Sequence, residues 1–227
     1  AGEPIRLYRA DADMQEARAV VQDILVEKRR GKKYSDFAIL YRNNNLSRNF
    51  ERMLSANGIP YRVYGGLRFF DRQEVKDVVA YLRVLANADD TSLLRIINQP
   101  PRGIGGKTLE VIERQSAAEG RPLYSVLCNA RSYPALERAE GKLQQFAELI
   151  ESCAELSRTM PLPEFYDELL IRTEYVNMLE SKDTEENKTR LENVRELKSS
   201  INSYVENAET PTLAGFLEEI ALYTDLE

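Results

Sequence analysis

The stretch INQPPRGIGGKTLEVIERQ, residues 97–115, decides between a nucleotide-binding α/β fold and a helical one. Its Gly-Gly-Lys-Thr run, residues 105–108, matches the end of the P-loop pattern G-x-x-x-x-G-K-[ST], but the first glycine of that pattern would fall on Pro101. Proline donates no N–H and cannot adopt a positive φ. The segment before it is typical of a short helix, whereas a P-loop follows a buried strand. The stretch therefore predicts two helices, 91–98 and 107–118, joined by a glycine turn.

Gly103 and Gly105 flank Ile104 in this turn. Two glycines allow a sharp bend and the close approach of a ligand, and the N–H groups of 103–108 would point outward beside a helix N-terminus. The rim of this anion site would be formed by Arg102, Lys107 and the hydroxyl of Thr108. This is the outline of a helix-hairpin-helix element, which holds a DNA backbone phosphate without reading sequence. The spacing fits equally well a plain glycine turn whose Ile104 fills the core.

The composition excludes several classes of site. Histidine is absent, which removes Ser-His-Asp and Cys-His nucleophile systems and histidine-based zinc sites. Cys128 and Cys153 have no CxxC partner, so we expect two small buried side chains in a reducing cytoplasm and no metal site. A polar, charged start and the lack of an apolar run near 18 residues predict no signal peptide and no membrane contact.

Charge is distributed unevenly along the chain. The net charge of −6 separates into +4 for residues 1–64, +1 for residues 65–121 and −11 for residues 122–227. Contacts with a polyanion are therefore expected in the first 121 residues, and the remainder resembles an acidic, solvated scaffold.

The hydrophobic pattern predicts two architectures. Residues 1–64 alternate between strands at 5–10, 36–41 and 59–64 and helices at 11–30 and 45–58, which favours βαβ crossovers and a parallel sheet. Asp11 or Asp13 is the expected N-cap of the first helix. From residue 71 onward the pattern is helical only, with later helices at 122–129, 134–159, 163–171, 174–181, 185–207 and 212–223. For 185–207, packing of an amphipathic face against the core is favoured over a coiled coil.

Two further segments are candidates for binding. Arg42 follows the second predicted strand, and the asparagines after it, Asn44 among them, offer donors to phosphates and bases, or alternatively cap the next helix. Gly65-Gly66 marks a hinge or tight junction between the two architectures. Phe69-Phe70 could stack on bases, although such a pair is more typical of a buried seam.

Three segments together resemble superfamily 1 DNA helicases of the UvrD/PcrA/Rep group: FAILYRNNNLSRNFERML (37–54), GIPYRVYGGLRFFDRQEVKDVVAYLR (58–83) and NQPPRGIGGKTLEVI (98–112). The resemblance implies a partial RecA-like three-layer α/β unit with an incomplete parallel sheet, the first half of subdomain 2A, at 1–64. It implies a helical 2B insertion with a helix-hairpin-helix element at 65–227.

The resemblance also implies roles for particular residues. Arg42 and Asn44 would contact single-stranded DNA, and Gly65-Gly66 would be the junction about which 2B swivels. The Arg102–Gly105 loop, with Thr108, would contact the duplex backbone, and Lys76 is a further candidate for that surface. Asp89-Asp90 would lie in a loop that biases the orientation of 2B.

The implied function is that of one portion of an ATP-dependent 3′-to-5′ DNA helicase acting in repair or replication. Its expected partners are single-stranded and duplex DNA, the other subdomains of the parent chain and repair or replication proteins. Walker A and B motifs, glutamine motifs and arginine fingers have no counterpart here, so ATP and Mg²⁺ would belong to the parent protein, and we expect no turnover by this chain. The alternative is a helical protein-interaction module that docks through the acidic surface of residues 122–227.

Overall fold

The computed structural model describes residues 5–41, 47–63 and 69–224. Eleven α-helices are assigned within them. They are α1 (Asp13–Arg29), α2 (Ser47–Ala56), α3 (Gln73–Asn87), α4 (Asp90–Ile96), α5 (Gly106–Glu119), α6 (Leu123–Cys128), α7 (Glu140–Thr159), α8 (Leu162–Arg172), α9 (Tyr175–Glu180), α10 (Glu185–Asn207) and α11 (Leu213–Thr224). Short 3₁₀ turns lie at Tyr34–Asp36, Phe69–Asp71, Ala130–Ser132 and Pro134–Ala139.

The chain divides into two compact units, one formed by Ala1–Arg72 with Leu222–Glu227 and the other by Gln73–Ala221. In the first unit α1 packs on α2 around a small core of Val21, Ile24, Leu54 and Ile59. The assignment of subdomains to 1–64 and 65–227 remains a prediction.

The predicted parallel sheet is not observed in the described residues. Segments 5–10, 37–41 and 59–63 have no assigned secondary structure, so a RecA-like sheet is a wrong expectation for this structure. Phe37, Ile39 and Tyr61 pack against the core of the first unit, whereas Leu40 is 94% exposed. Ile5 and Leu7 are 100% and 98% exposed. The three segments have the apolar composition expected of strands, but no ladder of backbone hydrogen bonds joins them to one another.

The second unit is built around α3, which packs against α4, α7 and α10. Its apolar face points to the core, since Val75, Val78, Val79 and Leu82 are buried, whereas Leu85 is half-buried. The predicted core packing of α10 is confirmed too, because Val194, Leu197 and Ile201 are buried completely. Tyr166 of α8 donates a hydrogen bond to the Val194 carbonyl at 2.7 Å.

Polar groups also hold this core together. The buried carboxylate of Asp77 on α3 accepts from Arg95 Nε at 2.7 Å and from the Tyr175 hydroxyl at 2.9 Å. One turn away, Glu74 accepts from the buried amide of Asn193 at 2.5 Å. Asp77 is thus paired with a cation and Glu74 with a neutral amide, and these hydrogen bonds join α3 to α4, α9 and α10.

Some local expectations were wrong. The N-cap of α1 is Ala12 and not Asp11 or Asp13, although Asp13 and Glu16 lie in the first turn, where they oppose the positive end of the helix dipole. Cys153 is buried but Cys128 is exposed, because it ends α6 at the surface. Within the described parts of the chain, every helix is too short or too polar to traverse a bilayer.

Candidate nucleic-acid interface

The glycine turn lies between α4 and α5, as the sequence predicts. Gly103 has a φ of +67°, a left-handed conformation that favours glycine. Gly105 is the N-cap of α5 with φ −77° and ψ 163°, an extended conformation open to other residues. Both glycines are exposed, and Ile104 between them is 1% exposed. The turn is thus anchored by one buried side chain and presents its backbone to solvent.

The backbone amides of the turn fall into two groups. Asn98 Oδ1 accepts from the amides of Arg102 at 2.7 Å and Ile104 at 3.3 Å, and the Thr108 amide donates to the Gly105 carbonyl at 2.9 Å. Four other amides have no acceptor among the residues that the structure describes; they belong to Gly103, Gly105, Gly106 and Lys107. The group of outward-facing amides is therefore smaller than the expected 103–108. The Ile104 side chain is buried in the core.

The open amides lie where a helix favours negative charge. They surround the first turn of α5, a helix of 14 residues whose N-terminus carries about half a positive charge. A Cβ built on Gly105 or Gly106 would meet no heavy atom within 4 Å. An anion therefore has open space beside Gly105 and Gly106.

Arg102 does not lie at the rim of this site. Its guanidinium is turned toward the protein, 5.2 Å from the centroid of the Phe146 ring. It donates to Tyr81 Oη at 2.7 Å and to four carbonyl oxygens, those of Ile96 at 3.0 Å, Pro100 at 3.1 Å, Thr173 at 3.4 Å and Ile97 at 3.5 Å. Sequence spacing placed Arg102 beside the glycines correctly but could not give the direction of its side chain. In this structure it binds the C-terminal carbonyls of α4 and so shapes the turn.

Lys142 on α7 was not among the sequence candidates, yet it lies against the turn. Its Nζ donates to the Gly103 carbonyl at 2.9 Å, and it would lie 2.7 Å from a Cβ at Gly103. Lys142 is 39 positions from Gly103 in the sequence, so no local pattern could reveal this contact.

The remaining candidates are distributed over the chain. Lys107 is exposed and Thr108 half-buried in the first turn of α5, and Lys76 is exposed on α3. Asp89 caps α4 by accepting from the Ser92 amide at 2.8 Å, and Asp90 accepts from the Leu123 amide at 3.0 Å at the start of α6. Four candidates lie outside the described residues: Arg42, Asn44, Gly65 and Gly66.

Titration of the surrounding groups follows from their burial. Desolvation raises the pKa of Tyr81 to about 12, against the opposing influence of Arg102, so Tyr81 is a neutral donor to the Gln99 carbonyl at 2.7 Å. The described residues hold no group of three or more His, Cys, Asp or Glu side chains that could bind a metal ion. The turn thus offers backbone donors and lysines, which suit an oxyanion.

Comparison with known proteins assigns the chain to a family. The model of the UvrD-like helicase C-terminal domain matches residues 1–227. The chain is similar to the ATP-dependent DNA helicase PcrA of Staphylococcus aureus, with 37% identity over all of the chain and 31% of the relative. It is 36% identical to PcrA of Staphylococcus epidermidis over the same shares. The chain spans about a third of the length of these relatives.

Proposed function

Since the chain belongs to the UvrD-like helicase C-terminal domain family, we propose that it is the DNA-binding and regulatory portion of an ATP-dependent 3′-to-5′ DNA helicase. It would comprise the start of subdomain 2A and the 2B insertion, and would work in the cytoplasm in DNA repair or replication. Its partners would be DNA and the remaining subdomains of the parent chain. The helical content fits such a portion, and the similarity to PcrA supports DNA as the ligand.

The observation that carries the proposal is the exposed glycine turn. Four backbone amides without an acceptor in the described residues lie at the N-terminus of α5, with open space over Gly105 and Gly106. A backbone phosphate accepts hydrogen bonds from such amides and gains from the helix dipole. Because no base edge is involved, binding would be independent of sequence and would weaken steeply with salt.

The two parts of the chain would contact different forms of DNA. Arg42 and Asn44 would contact the single strand as ATP hydrolysis elsewhere in the parent protein moves it, while the glycine turn holds the duplex. A swivel about Gly65-Gly66 would change the distance between these contacts and so regulate unwinding. ATP and Mg²⁺ would bind elsewhere in the parent protein, and we assign no step on this chain to them.

Two substitutions at Gly105 test the proposal. Asp and Asn are both good N-caps, and the backbone of Gly105 accepts either, so Gly105→Asp and Gly105→Asn should fold equally well. Only Asp places a negative charge against the phosphate. We expect duplex affinity to fall at least tenfold in Gly105→Asp and by less in Gly105→Asn, whose uncharged side chain can occupy the Lys107 amide as a cap. Titrations of a fluorescent 24-base-pair duplex at several salt concentrations measure both.

The wild-type chain provides the reference for this pair. Its logarithmic affinity should fall linearly with the logarithm of salt concentration, with a slope of about −0.9 for each phosphate contacted. Binding that is absent or independent of salt would overturn the proposal and favour the protein-interaction alternative. Equal affinities for the Asp and Asn variants would exclude the turn as the phosphate site.

A further inference from the structure

A hollow of about 320 Å³ lies beside the glycine turn, between α7 and α8. Its lining includes Arg102, Lys142, Arg172 and Glu174, three cations and one carboxylate. This local excess of positive charge contrasts with the −11 of residues 122–227 as a whole, the part of the chain in which three of these four residues lie. The net charge of residues 122–227 therefore does not indicate the basic site that lies among them.

The cations of the hollow differ in how many hydrogen-bond donors remain available to a ligand. The Arg102 guanidinium donates to five protein oxygens, so it contributes positive charge to the hollow but no hydrogen bond to a ligand. Lys142 is exposed and uses one of three ammonium hydrogens on the Gly103 carbonyl. Arg172 is 43% exposed, donates one bond to Ser152 Oγ at 3.1 Å and lies 3.5 Å from a Glu168 carboxylate oxygen. Lys142 and Arg172 thus retain donors for a ligand.

We propose that this hollow is a second phosphate subsite for the duplex, in which Lys142 and Arg172 bind a backbone phosphate next to the one held by the glycine turn. The inference rests on the function proposed above. One strand of B-DNA carries a charge about every 3.4 Å along the helix axis, so a strand held at the turn presents its following phosphates to the hollow. Lys142, which contacts the turn and lines the hollow, connects the two subsites.

Glu174 sets the strength of the subsite. It is exposed, lines the same hollow and has a φ of +58°, a conformation that is uncommon for residues with a side chain. Its carboxylate opposes a bound phosphate. Removal of this charge should therefore tighten binding, an effect that a purely structural role for the hollow would not produce.

The test uses the whole chain and the fluorescent 24-base-pair duplex. Lys142→Gln keeps a donor for the Gly103 carbonyl but removes one charge. We expect its affinity at 0.1 M salt to fall about eightfold and its salt slope to become shallower by about 0.9. Lys142→Arg should restore both. Glu174→Gln should tighten binding about two- to fivefold. Lys188→Gln on α10, outside the hollow, is the matched control and should leave the slope unchanged.

The outcomes separate this inference from the proposed function. If the wild-type chain binds with a steep salt dependence and Gly105→Asp loses affinity, but Lys142→Gln and Glu174→Gln behave like Lys188→Gln, the subsite is wrong and the proposed function stands. If the wild-type chain shows no salt-dependent binding, both fail. A shallower slope in Lys142→Gln with rescue by Lys142→Arg, at unchanged thermal stability, supports the subsite.

Discussion

Two cations beside the same turn use their donors in different ways. Arg102 directs its guanidinium to carbonyl oxygens of α4 and the following turn, whereas Lys142 approaches from α7 and leaves most of its ammonium in solvent. Arginine suits the first task because its planar fork meets several fixed acceptors at once. We therefore assign Arg102 to the shape of the turn and Lys142 to the ligand.

A substitution at Arg102 distinguishes shape from contact. Arg102→Met keeps an unbranched chain but removes all five hydrogen bonds. We expect the free energy of unfolding to fall by about 2–3 kcal/mol, since helix-terminal carbonyls would lose a charged donor. The salt slope of duplex binding should change less than in Lys142→Gln. Chemical denaturation and duplex titration measure the two effects; a normal stability with a slope shallower by about 0.9 would show instead that Arg102 contacts phosphate.

At the scale of elements, the two aspartates before α4 serve two helices. Asp89 caps α4, and Asp90 binds the first amide of α6. The hydrogen bond from Ser92 holds the pKa of Asp89 below its usual range, so the ionised form is favoured by folding. The pair thus fixes the start of the helical hairpin that carries the glycine turn.

The cap at Asp89 gives a prediction with a defined pH dependence. Asp89→Ala should lower the free energy of unfolding by about 1 kcal/mol at pH 7, and Asp89→Asn should lower it much less. Because the folded pKa is lowered, the benefit of the charge is present above the unfolded pKa near 3.8 and is lost as pH falls through the folded value. Urea denaturation from pH 7 to pH 3 should show the advantage of wild type over Asp89→Ala shrinking, while that of Asp89→Asn over Asp89→Ala stays constant. An advantage that is independent of pH would contradict the capping role of the carboxylate.

Elements were predictable where the signal is local. The sequence prediction of 185–207 matches α10 in both bounds, because Thr184 caps it at 3.2 Å from the Asn187 amide and its apolar residues repeat at helical spacing. The strands were not predictable in the same way. The run containing Leu40 has the composition of a buried strand, but a strand requires a hydrogen-bonded neighbour, which composition does not specify.

Only the backbone turn of the candidate site could be predicted from the sequence, and the positions of its side chains could not. Glycines at 103 and 105 indicate a turn with accessible amides whatever the rest of the chain does. The inward direction of Arg102 depends on Tyr81 and Thr173, which lie 21 and 71 positions away, and Lys142 reaches the turn over 39 positions. Such contacts arise from tertiary packing and leave no local pattern.

At the scale of the whole molecule, the two cysteines report on global folding. Cys153 is completely buried, and burial raises its thiol pKa to about 11, whereas Cys128 is exposed. Burial also raises the pKa of the Cys128 thiol, so exposure to the disulfide reagent is the main difference between the two thiols. At pH 8 we expect the native chain to release one equivalent of thiol quickly and the second only on unfolding, as measured by absorbance with and without denaturant. Fast reaction of both thiols would contradict the packing of α7, and the Cys128→Ser variant identifies the fast group.

Amide-resolved NMR of the isotopically labelled chain tests most directly whether the open backbone amides of the glycine turn bind phosphate. On titration with an unlabelled 24-base-pair duplex, we expect the largest shifts at Gly103, Gly105, Gly106 and Lys107, in the downfield direction of new hydrogen bonds to phosphate, and their reversal by added salt. The amides of Ile104 and Thr108, which already donate within the protein, should move less. Unchanged amides at the turn, with shifts confined to the acidic surface of residues 122–227, would contradict the account.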